Sequence, residues 1–105
     1  MKFTTLIPMN RNDGTPFRPA VLERIIEQLW RPFRGVTKEG VVTGHWIDDD
    51  GQEFSDICLK VFIECDRNRL FEAIKAVKKI GRKLGQRAMF FEVDGYDGVQ
   101  VLRID

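Results

Sequence analysis

Hydrophobic residues recur along this chain with a period that switches between strand and helix. There is an extended run at 2–8, an amphipathic stretch at 19–31, paired extended runs within 41–65, a second amphipathic stretch at 67–84 and a last extended run at 87–93. Side chains alternate across a strand and return to one face of a helix at each turn, so the two periods are distinguishable from sequence. The resulting order, strand-helix-strand-strand-helix-strand, is that of a ferredoxin-like βαββαβ sandwich of the α+β class, with two helices on one face of an antiparallel sheet. Such a fold hosts unrelated activities, so function has to be read from particular residues.

A chain of 105 residues has room for one domain, 1–105, with one core. Its N-terminal stretch lacks an apolar run of signal-peptide length, and no segment approaches about 18 uninterrupted apolar residues. The expectation is a soluble cytoplasmic protein with no membrane partner. Cys58 and Cys65 fall on one expected strand, seven positions apart, and therefore point to opposite faces. They are expected to stay reduced. With one histidine and no close cysteine pair, neither a metal site nor a cofactor is expected.

In the first strand Phe3, Thr5 and Ile7 alternate with Thr4 and Leu6, and Pro8 closes it. Residues 10–16 are turn chemistry, and Pro19 suits the first turn of a helix whose stripe is Leu22, Ile25, Ile26, Leu29 and Phe33. Pro32 disfavours helix at Arg31, with Gly35 just beyond, and Glu27 and Arg31 are spaced for an i,i+4 pair. The second helix places Leu70, Ala73, Ile74, Val77, Ile80, Gly81 and Leu84 on one arc, with Asp66 or Asn68 as its cap and Gly85 at its end. Gly81 inside that arc implies a close helix-sheet approach. The last core strand buries Met89, Phe91 and Val93; after the turn at 94–98, residues 99–104 can add an edge strand.

The hairpin is where register matters. If Asp50-Gly51 forms a two-residue turn, Trp46 faces Ser55, Gly44 faces Ile57 and Val42 faces Leu59, which puts Trp46 in the core and sets His45 opposite Asp56 on the other face. An odd-length loop inverts the strand, because a one-residue slip swaps its faces. With the first reading, the sheet face away from the helices carries Thr4, Leu6, His45, Cys58, Lys60, Phe62, Glu64, Ala88, Phe90 and Glu92. It is too apolar at Leu6, Cys58, Phe62 and Phe90 for a solvated surface, and too charged for a second core. A second copy of the chain, or the C-terminal segment, is expected to cover it.

Charge is segregated although the net charge is +1. The second helix carries Lys75, Lys78, Lys79, Arg82 and Lys83 on its polar arc, whereas the hairpin carries Asp48, Asp49, Asp50, Glu53 and Asp56. A basic helix face is a candidate for anions or nucleic acid, but the ordinary reading is a solubilising surface. The strand Leu59–Glu64 lacks the basic-Gly-aromatic motif of RNA-recognition modules, and Glu64 and Glu92 flank the rings that would stack bases. The acidic tip lacks the ligand spacing of a calcium loop. Arg11, Asn12 and Asp13 with Arg31 and Arg34 lack a phosphate-cradling glycine pattern. His45 with Asp56 is the one candidate acid/base pair, and no activated nucleophile accompanies it.

Gly44-His45-Trp46, Lys60-Val61 on an apolar strand and Gly85-Gln86 before the last strand resemble a group of small bacterial proteins known as a domain of unknown function. The likeness spans about residues 41–93 and implies a ferredoxin-like fold, with no catalytic residues to carry over. Together these features lead to three readings. The first is a non-catalytic homodimeric interaction module using Leu6, Cys58, Phe62 and Phe90. The second is a small-molecule enzyme of dimeric α/β-barrel type with a site near His45. The third is nucleic-acid binding through the basic helix.

Overall fold

The computed structural model describes residues 1–95 and 99–104. Its elements are β1 (Lys2–Pro8), α1 (Pro19–Trp30), β2 (Thr37–Ile47), β3 (Glu53–Glu64), α2 (Leu70–Lys83), β4 (Ala88–Val93) and β5 (Val99–Arg103). Short 3₁₀ turns at Arg31–Phe33 and Arg67–Arg69 follow α1 and precede α2. The strands form one five-stranded antiparallel sheet in the order β2-β3-β1-β4-β5. This is the ferredoxin-like arrangement with β1 and β3 inside, extended by β5. The residues of the turn expected at 94–98 that follow Gly95 lie outside the described residues.

β1 is paired along its whole length with β3, from Lys2↔Glu64 to Pro8↔Cys58, but with β4 only at Phe3↔Val93 and Thr4↔Glu92. Where that second ladder stops, the buried Thr5 hydroxyl donates to the Phe90 carbonyl at 2.7 Å. A side chain thus satisfies a backbone acceptor that the diverging strands leave open.

Both helical stripes bury as their spacing requires. Leu22, Ile25, Ile26 and Leu29 of α1 and Phe33 of the turn after it are buried, as are Ala73, Val77, Ile80 and Gly81 of α2 and Leu84 at its end, while Leu70 and Ile74, expected on the same arc, are half-buried. Pro32 sits in the 3₁₀ turn, and the left-handed residue that ends it is Arg34, at φ 70°, one position before Gly35. Glu27 and Arg31 pair at 2.6 Å. No side chain caps α2: Asp66 makes no cap hydrogen bond, and Arg69 instead grips Glu72 with two contacts of 2.6 and 2.8 Å. A side chain at Gly81 would meet Met89 Cγ at 2.8 Å and Ile104 Cδ1 at 2.9 Å, so the close approach is real.

The hairpin register differs from the two-residue turn. Asp48 pairs with Gln52 around a three-residue loop, the Asp48 N–H donating to the Gln52 carbonyl at 3.0 Å. The Asp48 carboxylate accepts from the N–H groups of Asp50 and Gln52, both at 2.9 Å. A two-residue I′ turn needs positive φ at Asp50 as well as Gly51, whereas here only Gly51 is left-handed, at φ 81°. The Asp48 side chain and the cheaper backbone together select the odd loop. Trp46 therefore faces Phe54, His45 faces Ser55, Gly44 faces Asp56, Thr43 faces Ile57 and Val42 faces Cys58. Trp46 leaves the core for the open face, and His45 moves to the helix side.

The C-terminal segment does not fold across the open face either. It pairs beside β4 as the sheet edge, from Ala88↔Arg103 to Glu92↔Val99. No helix among the described residues is long and apolar enough to cross a membrane.

Candidate functional site

The open face of the sheet is built by alternation. Along β3 the residues Phe54, Asp56, Cys58, Lys60, Phe62 and Glu64 point away from the helices, opposite Trp46, Gly44 and Val42 of β2 and Pro8, Leu6, Thr4 and Lys2 of β1. Phe90 and Val101 continue the face across β4 and β5. The four residues expected to form its apolar centre are there: Cys58 is buried, and Leu6, Phe62 and Phe90 are half-buried.

The part the hairpin reading concealed lies at the β2–β3 end. Trp46 and Phe54 stack with ring centroids 4.4 Å apart and planes 14° from parallel. The Trp46 Nε1–H donates to Asp56 Oδ2 at 3.1 Å, which fixes the indole and leaves the other carboxylate oxygen turned to solvent. Trp46 is 51% exposed, so one ring face is covered by Phe54 and much of the rest is open. A cavity of about 400 Å³ is lined by His45, Trp46, Ile47, Glu53, Phe54 and Ser55. No lysine or arginine occurs between Glu39 and Leu59, whereas Asp48, Asp49, Asp50, Glu53 and Asp56 do. The local field favours cations and repels phosphates.

His45 and Asp56 do not form an acid/base pair. They lie on opposite faces of the hairpin, because the three-residue loop moved His45 to Ser55 and gave Asp56 to the indole. Cys58 is no nucleophile at neutral pH: burial, with the Asp56 charge adding to it, pushes its thiol up to about 11. The fold keeps this thiol protonated, so its contribution to stability is full below the unfolded thiol pKa and is lost as pH rises toward 11. In the native protein at pH 8, iodoacetamide is expected to leave Cys58 unmodified while denatured protein reacts fully. Peptide mass spectrometry checks this, and rapid native alkylation of Cys58 would contradict it.

A second cavity of about 460 Å³ lies at the other end of the sheet, lined by Met1, Lys2, Glu64, Cys65, Asp66, Arg69 and Asp94. Several of its charged groups are committed to structure. The Lys2 N–H holds the Asp94 carboxyl below the usual carboxylate range. Arg69 is shared between Glu72, the Pro32 carbonyl and the face of Phe33. The Lys2 ammonium lies 4.8 Å over the Phe62 ring, so an aromatic of the open face already accepts a cation.

The basic residues of α2 share its outer surface: Lys75, Lys79, Arg82 and Lys83 are exposed and Lys78 is half-buried. Lys83 donates to Gln28 of α1. The Arg11–Asp13 loop is exposed, with Arg11 donating to the Pro16 carbonyl and Asn12 to the Gly85 carbonyl, both at 2.9 Å. No group of metal-ligating side chains occurs among the described residues.

Phe54 had no role in the sequence reading, and Trp46 had the wrong one. The signal available was Asp48, which fits the first position of an Asx-type loop as well as Asp50 fits a tight turn.

No family model and no curated protein matches the chain. Among solved structures, a phage SAM lyase in complex with S-methyl-5'-thioadenosine is similar to it, with a TM-score of 0.71 at 9% identity, covering 97% of this chain and 88% of that one. A phage SAM lyase in the apo state is similar with a TM-score of 0.61 at 12% identity, over 97% and 87% of the two chains. At such identities the likeness is one of fold.

Proposed function

We propose that this chain binds a cationic nucleoside of the S-adenosylmethionine type on the Trp46–Phe54 platform and acts on it as a small-molecule lyase. The observation that carries the reading is the exposed indole, stacked on Phe54 and locked by Asp56 in the part of the hairpin, residues 39–59, that holds no lysine or arginine. An exposed aromatic face stacks a nucleobase, and the free oxygen of Asp56 attracts a sulfonium centre. The same carboxylates disfavour nucleotides, whose phosphates they repel. The fold it shares with phage SAM lyases supports this choice of ligand.

The chemistry suits what the hairpin offers. When the substrate's own carboxylate oxygen displaces the sulfur from the γ-carbon, a C–O bond closes a lactone as the C–S bond breaks and its electron pair leaves with the sulfur as a neutral thioether, so the step needs no proton from the protein. What the site must do is hold the cation and exclude competing water.

The test is to incubate the chain with S-adenosylmethionine and follow S-methyl-5'-thioadenosine by chromatography, with calorimetry on the thioadenosine and on adenosine monophosphate. Binding of the first without the second is expected, together with release of the thioether. Trp46→Ala is expected to weaken binding by about 10-fold to 100-fold, the worth of one base-aromatic stack. Because Trp46 is half exposed, the melting temperature is expected to move little. Equal affinity for the phosphate-bearing ligand, or no binding by either, would remove this reading.

A second reading keeps the open face as a non-catalytic contact between two copies through Leu6, Cys58, Phe62 and Phe90. It is favoured by the exposure of Val101, 69%, which extends the apolar surface to the sheet edge. A dimer lost on Phe62→Lys, in a protein inert to nucleosides, would replace the first reading with this one.

A further inference from the structure

On the helix side of the hairpin, Val41, Ile47 and Ile57 are 59%, 64% and 46% exposed, because α1 and α2 do not reach them. The loop beside them carries Asp49 and Asp50. At the other edge of the sheet, α2 packs on β4 and β5 and turns outward a face made of Phe71, Lys75, Lys78 and Lys79, which lie within one arc at helical spacing. Phe71 is 78% exposed, which makes it the most exposed large apolar side chain among the described residues. Neither these lysines nor the two aspartates have an ion-pair partner among the described residues.

The two surfaces match in kind: apolar side chains beside an acidic loop, and an apolar ring among lysines. They cannot meet within one chain, because the sheet order puts β2 and β5 at opposite edges. We infer that the occupant of the basic α2 face is the hairpin of a second copy of this chain, in a head-to-tail contact. Phe71 then packs among Val41, Ile47 and Ile57, and the lysines face Asp49 and Asp50. A contact between two different patches is heterologous and repeats, closing into a ring or running on as a filament. A nucleic acid would use the lysines but leave Phe71 and the three hairpin aliphatics unpaired. The contact is centred on the opposite face of the hairpin from Trp46 and Phe54 and shares Ile47 alone with the lining of the cavity beside them.

The experiment is sedimentation velocity of the full chain at tens of micromolar in low and high salt, with two charge-reversal variants and their combination. Wild type is expected to associate at low salt and to lose roughly tenfold in association constant at high salt. Asp49→Lys with Asp50→Lys, and separately Lys75→Glu with Lys79→Glu, are each expected to give monomers. Asp48 is left in place because it holds the loop. The fourfold variant, with both signs exchanged, is expected to associate again, and that rescue separates lost contact from lost folding. Phe71→Ser is expected to weaken association with an unchanged melting temperature. A wild type that stays monomeric at low salt would overturn the inference. So would an oligomer indifferent to both reversals, or a basic face that binds an oligonucleotide while the protein remains monomeric.

Discussion

Phe3→Ala is expected to destabilise the fold by about 4 kcal/mol, the upper part of the range for truncating a buried aromatic. Phe3 is fully buried and joins the two halves of the core. Its ring meets Phe33 edge-on at 5.4 Å between centroids and stacks on Phe91 at 5.6 Å. Phe33 follows α1 and Phe91 lies on β4, so the cavity left by alanine opens between a helix end and the sheet. Neither neighbour can collapse into it without moving an element. For a domain of this length the melting temperature is expected to fall by roughly 20 °C in a thermal scan. The same truncation at Phe71, on the outer face of α2, is expected to shift it by no more than about 2 °C. A Phe3→Ala protein melting within a few degrees of wild type would show that the core does not depend on this ring cluster.

Gly81→Val is expected to cost about 3 kcal/mol for the opposite reason, overpacking. The first carbon of any side chain there would lie 2.8 Å from Met89 Cγ and 2.9 Å from Ile104 Cδ1. The isoleucine methyl is the end of a side chain and can turn away. The methionine carbon sits mid-chain on a buried strand residue and cannot yield without shifting α2 off β4. Alanine at the same position gains about 1 kcal/mol in helix propensity, which offsets part of the clash, so its cost is expected to be clearly smaller than that of valine. Chemical denaturation of both variants measures the difference. A valine variant as stable as the alanine one would mean that helix and sheet separate freely at this point.

The elements of the fold were legible because burial has a period. The stripe from Leu22 to Phe33 and the arc from Leu70 to Leu84 lie where 3.6-residue spacing puts them, and the glycine inside the arc marks the tightest helix-sheet contact. The alternation in β1, β3 and β4 likewise assigned Leu6, Cys58, Phe62 and Phe90 to the open face. The candidate site was not legible, since it depends on a count of loop residues. Asp48-Asp49-Asp50-Gly51 is compatible with a two-residue and a three-residue turn, and the two differ by one register step. That step exchanges Trp46 and His45 between the faces of the sheet. The side-chain hydrogen bonds of Asp48 to two backbone N–H groups decide it, and no hydrophobic period reports them.

Local chemistry in the chain thus determined which segments are strands and helices, their order, and the face that each residue of the central strands presents. Every one of those properties follows from side-chain spacing along a regular backbone. Only the tertiary structure decided what lies next to what across the hairpin and at the sheet edges. It placed Trp46 on Phe54 beside Asp56, laid β5 along β4 instead of across the open face, and set the acidic hairpin and the basic helix at opposite edges of one sheet. Those placements rest on one loop's own hydrogen bonds, which select between two registers of nearly equal energy, and on strand pairing between distant segments, and neither leaves a trace in the hydrophobic period.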